Sequence, residues 1–342
     1  MPRDLTDPAQ GPHAMQLVLD EILAAAPAAE LRVIREHPDV SVEDNYTNLG
    51  YPPDAVTRDA RYTRYTTRGR MLRSHTTAMV PPALRLLGSR EWDDVLLACV
   101  GVVYRRDAVD RVHSGTPHQL DLWRISHHRA DLDELVDAVI TAAVPGARYR
   151  TTPAEHPYTT GGRQVDVLVD GEWLEVAEGG VAARHVLRRA WLPDDVHGLA
   201  LGLGLDRLLM VRKAIPDIRL LSSDDPRVVA QMGDLAPYRP VSRHPAVARD
   251  VSVAVGPEQD AETIGDVVRR TVGDLVEEVV VLDETPVDAL PPAAVARLGA
   301  QPGQKNVLLR LVLRHPTRTL TAAEANAARD AVYAAVHEGV VQ

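Results

Sequence analysis

Phenylalanine is absent from all 342 residues, although tyrosine (9) and tryptophan (4) are used. Local packing cannot explain the gap, because phenylalanine is an ordinary core residue. Two explanations stay open: synthesis of this protein when phenylalanine is scarce, or drift under GC-rich coding, which the alanine, arginine and valine content also fits. The single cysteine, Cys99 in "DDVLLACVGVVY", excludes a disulfide framework and a cysteine-based metal cage and fits a reducing compartment. No apolar run approaches the roughly 20 residues of a membrane span. The opening "MPRDLTDPAQGPHAM" has acids and no apolar centre, so it reads neither as a secretory signal nor as an arginine-rich transit peptide. A cytoplasmic protein without a membrane partner is the expectation. Positive charge is short as well: 38 Lys plus Arg stand against 48 Asp plus Glu, a net of −10. That excludes indiscriminate nucleic-acid binding and leaves room for a specific RNA enzyme with one basic face.

An apolar fraction of 45% is ample for a core, and the length suits one large domain and one small one. One basic stretch exists, with Arg58, Arg61, Arg64, Arg68, Arg70 and Arg73 around Tyr62 and Tyr65. It reads equally as a solvated face with packed tyrosines or as a phosphate-contacting surface. Residues 14 to 36 have helical periodicity interrupted at Pro27. "MLRSHTTAMVPPALRLL" reads as a short strand feeding a helix that two prolines help to start. "WDDVLLACVGVVYRR" and "PHQLDLWRI" form a hairpin pattern, a helix comes next at about 129 to 144, and "RQVDVLVDGEWLEVAEGG" is a second hairpin turning at Asp170–Gly171. The run "GLALGLGLDRLLMV" then closes the sheet. Antiparallel hairpins with interposed helices make the fold α+β.

Near residue 236 the Pro-rich "APYRPVSRHPAV" marks a boundary. Beyond it the order βαββα is ferredoxin-like. Domains of 1–235 and 236–342 are the expectation. The second domain holds 11 basic against 14 acidic residues, so its contacts with RNA would be local, with Arg310, Arg314 and Arg318 as candidates.

Three segments carry clustered polar groups. "LRSHTTA" sets His75 among hydroxyls, where a lone histidine is more often a core or capping residue. "YRRDAVDRVHSGTPHQLD" presents Arg105 and Arg106 at a strand end, with His113, His118, Gln119 and Asp121 across the hairpin; an exposed charged hairpin is the plain alternative. The glycine run places Gly202 and Gly204 directly before Asp206–Arg207, as a buried strand–helix junction or as a nucleotide floor. Two arginines beside a glycine-floored strand make a clamp for a triphosphate, since guanidinium groups bind phosphate bidentately. Asp166 and Glu175 on the second hairpin could hold Mg²⁺, which prefers carboxylate, phosphate and water oxygens.

In combination these segments resemble class II aminoacyl-tRNA synthetases, and among them the single-chain, organellar type of phenylalanyl-tRNA synthetase. "MLRSHTTA" is similar to that family's Leu-Arg-Thr-His-Thr-Ser segment, "YRRDAVDRVHSGTPHQLD" to its motif 2, and "GLALGLGLDRLLM" with "IPDIRLL" to its motif 3. "YRPVSRHPAVARDVSVAV" looks like the opening of its anticodon-binding domain. The resemblance runs from about residue 45 to the C-terminus. It implies a class II antiparallel sheet flanked by helices, a C-terminal ferredoxin-like domain, and a two-step ligase that uses ATP and Mg²⁺, makes an aminoacyl-adenylate and charges tRNA. A monomer or homodimer is expected.

Carried over position by position, the resemblance assigns Arg105 to the α-phosphate, Asp107 and His113 to the flanks of the nucleotide, and Arg207 to adenine or the γ-phosphate. The catalytic pair would be Arg105 and Arg207. His75, Thr77, Gln119 and Asp121 would face the amino acid. Departures concentrate in that pocket. The family's Phe-Pro-Phe is here His156-Pro157-Tyr158, Pro117 replaces an aromatic, Asp121 is one methylene shorter than glutamate, and Glu178 stands at or near the pocket. Ala200 keeps the family residue at the position that limits ring size. These departures predict a substrate more polar than phenylalanine; a synthetase-like binding or regulatory protein without ligation is the alternative.

Overall fold

Pro27 ends the first helix, which spans Ala14–Ala25, and the chain continues into a strand rather than into the second half of a kinked helix. A computed structural model describes the chain apart from residues 1, 28, 29, 61, 89, 90, 106–110, 243, 341 and 342, and apart from the side chain of Glu262. The strand β1 (Glu30–Ile34) lies at the edge of the main sheet, parallel to the strand Asp94–Val102. Its sequence "ELRVI" is too short to propagate a helix once proline has interrupted it.

The chain divides between Arg239 and Pro240 into two compact units. In the first, β2 (Asp39–Ser41), β3 (Arg64–Thr67) and β4 (Arg70–Leu72) make a small antiparallel sheet. After β4 the turn Thr76–Met79 feeds the helix Val80–Leu87, whose first turn carries prolines that need no intrahelical donor. The main sheet takes β5 (Asp94–Val102), β6 (His118–Ser126), β7 (Tyr149–Pro153), β8 (Thr159–Val169), β9 (Glu172–Ala182) and β10 (His197–Gly204). Their order is β1-β5-β6-β10-β9-β8-β7, antiparallel except for β1 beside β5. The β8–β9 hairpin turns at Asp170 and Gly171, both at positive φ (49° and 88°), the geometry that two-residue hairpin loops demand. The glycine run β10 does not close the sheet at its rim. It is inserted between the two hairpins, paired with β6 on one side and β9 on the other.

That insertion buries one face against an apolar cluster containing Leu84, Leu97, Trp123, Leu187 and Ala200. Four arginines of the basic stretch around Tyr62 bond within the protein: Arg73 is buried and donates to the Val102 and Glu36 carbonyls, Arg70 pairs with Asp39, Arg58 donates to the Tyr51 carbonyl and Arg64 to the Arg105 carbonyl, while Arg68 is exposed. Arg61 lies outside the described residues.

The second unit is a three-stranded antiparallel sheet, β11 (Val247–Val255), β12 (Val276–Pro286) and β13 (Lys305–Leu313), in the order β11-β13-β12. Val307, Leu309, Leu311 and Leu313 alternate inward along β13 and meet the helices Ala261–Val272 and Ala322–Val336. Arg310, Arg314 and Arg318 are each held by a carboxylate, from Asp250, Glu277 and Glu324. Among the described residues no helix is long and apolar enough to cross a membrane.

Candidate active site

Register across the main sheet brings distant residues into one row. Asp121 pairs with Gly202, Gly202 with Glu178, and Glu178 with Gln164. Directly paired residues share a face, so two carboxylates flank a glycine that has no side chain. A cavity of about 630 Å³ opens over this row. A Cβ on Gly202 would come within 3.5 Å of Asp121 Oδ1, so glycine keeps the space above that carboxylate open, and Gly204 extends the same floor.

Glu175 and Glu178 both line the cavity, although residues three apart in a regular strand face opposite sides. The cause is a bulge. Val165 pairs with Ala177 and its neighbour Asp166 with Glu175, which leaves Val176 as an extra residue in β9 and resets the alternation. Burial, with Glu178 adding its charge, raises the Glu175 carboxyl above its usual range against the pull of Arg207.

Arg105 and Arg207 both line the cavity. Arg105 follows β5, and its Nε donates to the Ser74 carbonyl at 3.0 Å. Arg207, in the first turn of the helix Leu205–Lys213, donates through Nη1 to the Glu175 carbonyl at 2.9 Å, with the Glu175 carboxylate 3.7 Å away. Asp206, just before it, receives the backbone N–H and Nδ1 of His118. Two cations thus line the cavity, each aimed by a backbone carbonyl, and His113 lines it as well.

The rest of the lining is polar and aromatic. Asp121 is buried and accepts from the hydroxyls of Thr76 at 2.8 Å and Thr77 at 3.0 Å; burial outweighs these donors and raises its carboxyl. Gln119 accepts from the Thr76 backbone N–H. His75 stacks on Tyr51, and neither of its ring nitrogens has a hydrogen-bond partner among the described residues. Burial and the neighbouring Arg105 charge push its pKa down to about 3, so the ring is neutral. His156 Nε2 lies 2.8 Å from Glu178 Oε2, and that bond raises the His156 pKa. Burial drives the Tyr158 phenol far upward.

The expected residues His75, Thr77, Gln119, Asp121, His156, Tyr158 and Glu178 thus meet in one cavity. Three expectations fare differently. Ala200 does not line it: 1% exposed, it belongs to the apolar cluster beneath, with Trp123. Asp166 shares a row with Glu175 but sits one strand further out, where Arg150 and Gln164 donate to its two oxygens, and it does not line the cavity. Asp107 lies outside the described residues. Sequence reading missed Tyr51, Thr76 and the Asp206–His118 pair. Tyr51 sits in a loop far from the other segments, with no periodic signal to reveal it, whereas the hydroxyl pair in "SHTTA" was visible.

A model of the tRNA synthetases class II core domain (F) matches residues 6–232, and one of the ferredoxin-fold anticodon binding domain matches residues 242–340. The chloroplastic/mitochondrial phenylalanine–tRNA ligase of Arabidopsis thaliana is 29% identical over 306 residues, 84% of this chain and 67% of the relative. The mitochondrial enzyme of Mus musculus is 29% identical over 356 residues, 89% and 72%. The phenylalanine–tRNA ligase alpha subunit of Prochlorococcus marinus is 35% identical over 205 residues, 58% and 59%. The single-chain relatives overturn the expectation of a cytoplasmic protein, because their names place them in mitochondria and chloroplasts. An acid-containing first segment excludes only some kinds of targeting signal. With its core matched over most of the first unit and the second unit matched almost throughout, the chain belongs to the class II tRNA synthetases of the phenylalanine type.

Proposed function

We propose that the first unit joins an amino acid to AMP at the expense of ATP and passes the acyl group to tRNA, which the second unit helps to bind. The observation that carries this reading is the shared cavity, which brings Arg105 and Arg207 together with Asp121, Glu178 and His156. In the first step the substrate carboxylate oxygen attacks the α-phosphorus of ATP and pyrophosphate leaves; in the second a terminal ribose hydroxyl of tRNA takes the acyl group and AMP leaves. Such chemistry is mostly positioning and charge neutralisation.

Arg105 is placed to hold the α-phosphate, and Arg207, aimed by the Glu175 carbonyl, to grip the nucleotide. His113 lines the same cavity. Asp121 and Gln119 hold the amino group through charge and hydrogen bonding, and neutral His75 offers its unpartnered nitrogens beside them. Mg²⁺ fits as a shared ligand only. No group of three metal-ligating side chains occurs among the described residues, and Glu175 is a cavity carboxylate of the kind Mg²⁺ accepts when phosphates and water complete its shell. Bound there, the ion supplies charge neutralisation for the phosphates.

His156 and Glu178 bring a donor and acceptors to the amino-acid end, so the preferred substrate is more polar than phenylalanine. ATP–pyrophosphate exchange across a panel of amino acids tests both parts. Exchange with none refutes the ligase, and efficient exchange with phenylalanine above every polar analogue refutes the altered selectivity.

A further inference from the structure

Two residues along β6 from Asp121, on the same face, stands Trp123, fully buried. It pairs with Leu97 on one side and Ala200 on the other, and Ala200 with Gly180, so from Trp123 toward β9 the next row carries only small residues. Those small residues leave no chamber. The Tyr158 ring packs against the cluster that holds Trp123 and Ala200, 6.3 Å from the Trp123 ring, 6.3 Å from Tyr51 and 5.3 Å from His156. Trp123 and Ala200 are 0% and 1% exposed, and neither borders the cavity. Here the space stops at the row Asp121–Gly202–Glu178 and at the face of Tyr158.

What meets a substrate side chain there is polar. Glu178 lines the cavity and gives Oε2 to His156, so Oε1 is the carboxylate oxygen left for a substrate donor. Thr77 is committed to Asp121. A phenylalanine ring directed at this row would meet the carboxylates of Asp121 and Glu178 and the imidazole of His156 rather than the apolar cluster beneath. Resting on the ligase reading above, we propose that Trp123 and Tyr158 form a plug that sets specificity, and that the amino acid accepted has a short side chain ending in an N–H or O–H donor for Glu178. Trp123 touches no substrate in this account; it acts by holding Tyr158 over the row.

The test uses the full chain with four probes: phenylalanine, alanine, serine and 2,3-diaminopropionate, each followed by ATP–pyrophosphate exchange and by calorimetric titration. Serine or diaminopropionate should exceed alanine by about tenfold or more, since a site built for a hydrogen bond rejects analogues lacking the group. Which of the two leads tells a hydroxyl from an ammonium. Glu178→Gln should shrink that preference. Trp123→Leu should raise phenylalanine relative to serine by about tenfold, as expected for space equivalent to a methylene or more. If that variant does not fold, Tyr158→Val serves the same purpose. Wild-type preference for phenylalanine, or an unchanged phenylalanine-to-serine ratio in the folded variant, overturns the plug and leaves the ligase standing. Absence of exchange with calorimetry still ranking the short donors first overturns the ligase and leaves the plug. Binding of none of the four overturns both.

Discussion

Asp206 and His118 are joined twice: the carboxylate accepts the His118 backbone N–H and, at 3.0 Å, its Nδ1. The Leu5 backbone N–H donates to the other ring nitrogen at 3.0 Å, so the ring is the tautomer protonated at Nδ1. The segment before the first helix, β6 and the residue preceding Arg207 are thereby fixed to one imidazole. Asp206→Ala leaves two buried donors unpaired, at about 1–3 kcal/mol each. The unfolding free energy from urea titration should fall by that amount, read as a lower midpoint at an unchanged m-value; a loss below about 0.5 kcal/mol would remove this pair from any positioning role.

Arg105→Ala and Arg207→Ala should each slow ATP–pyrophosphate exchange by about 10²–10³, the usual cost of one preorganised charge contact in a closed site. Circular dichroism should be unchanged. Wild-type rates in both variants would falsify the assignment of the nucleotide end.

The His156–Glu178 bond raises His156 above its ordinary 6.5. A group whose pKa rises on folding adds stability that is complete below the unfolded value and is lost as pH climbs through the folded one. The gap in urea midpoint between wild type and His156→Gln should therefore be widest at about pH 6 and close toward pH 9. A gap that does not vary over that range would mean the histidine is held uncharged.

His13 behaves in the opposite sense. It caps the first helix through Nδ1, which accepts the Met15 N–H, while Nε2 faces the Leu221 carbonyl, and burial pushes its pKa down to about 4. The unfolded chain takes up the proton first, so stability should fall as pH drops from about 6.5 toward 4. His13→Asn keeps a capping acceptor and should lose less over that interval in thermal melts; an identical acid loss would assign it to other groups.

Removal of residues 240–342 should weaken tRNA binding, measured against the full chain at several salt concentrations. Because Arg310, Arg314 and Arg318 are each paired with an acid, the salt slope should change by only a few phosphate contacts. Equal affinity in the two proteins would make the second unit a structural cap.

Much of this architecture is legible in the sequence because its signals are local. Asp170–Gly171 marks a hairpin, two prolines mark a helix start, and the polar clusters sit at strand ends. Register is not local. Nothing in "LWRI" tells that Trp123 stands beside Ala200, so the alanine reads as the residue that limits ring size until the strands are paired. The bulge at Val176 turns Glu175 and Glu178 to one side, and Arg150, from a strand with no motif, pairs with Asp166 away from the cavity. At 30–34, a periodicity shared by helix and strand was decided by Pro27 and by an open edge of β5.

β10 lies at the middle of the main sheet but is the last of its strands to leave the ribosome. Until it arrives, the facing edges of β6 and β9 have unpaired N–H and C=O groups, a template for wrong partners. The hairpins on either side can form early from short-range contacts. Their union waits for a strand some 70 residues beyond β6, and such distant pairing is intrinsically slow. A chain truncated before His197 should therefore aggregate rather than persist as a partial enzyme, and the row Asp121–Gly202–Glu178 comes into being only at that final insertion.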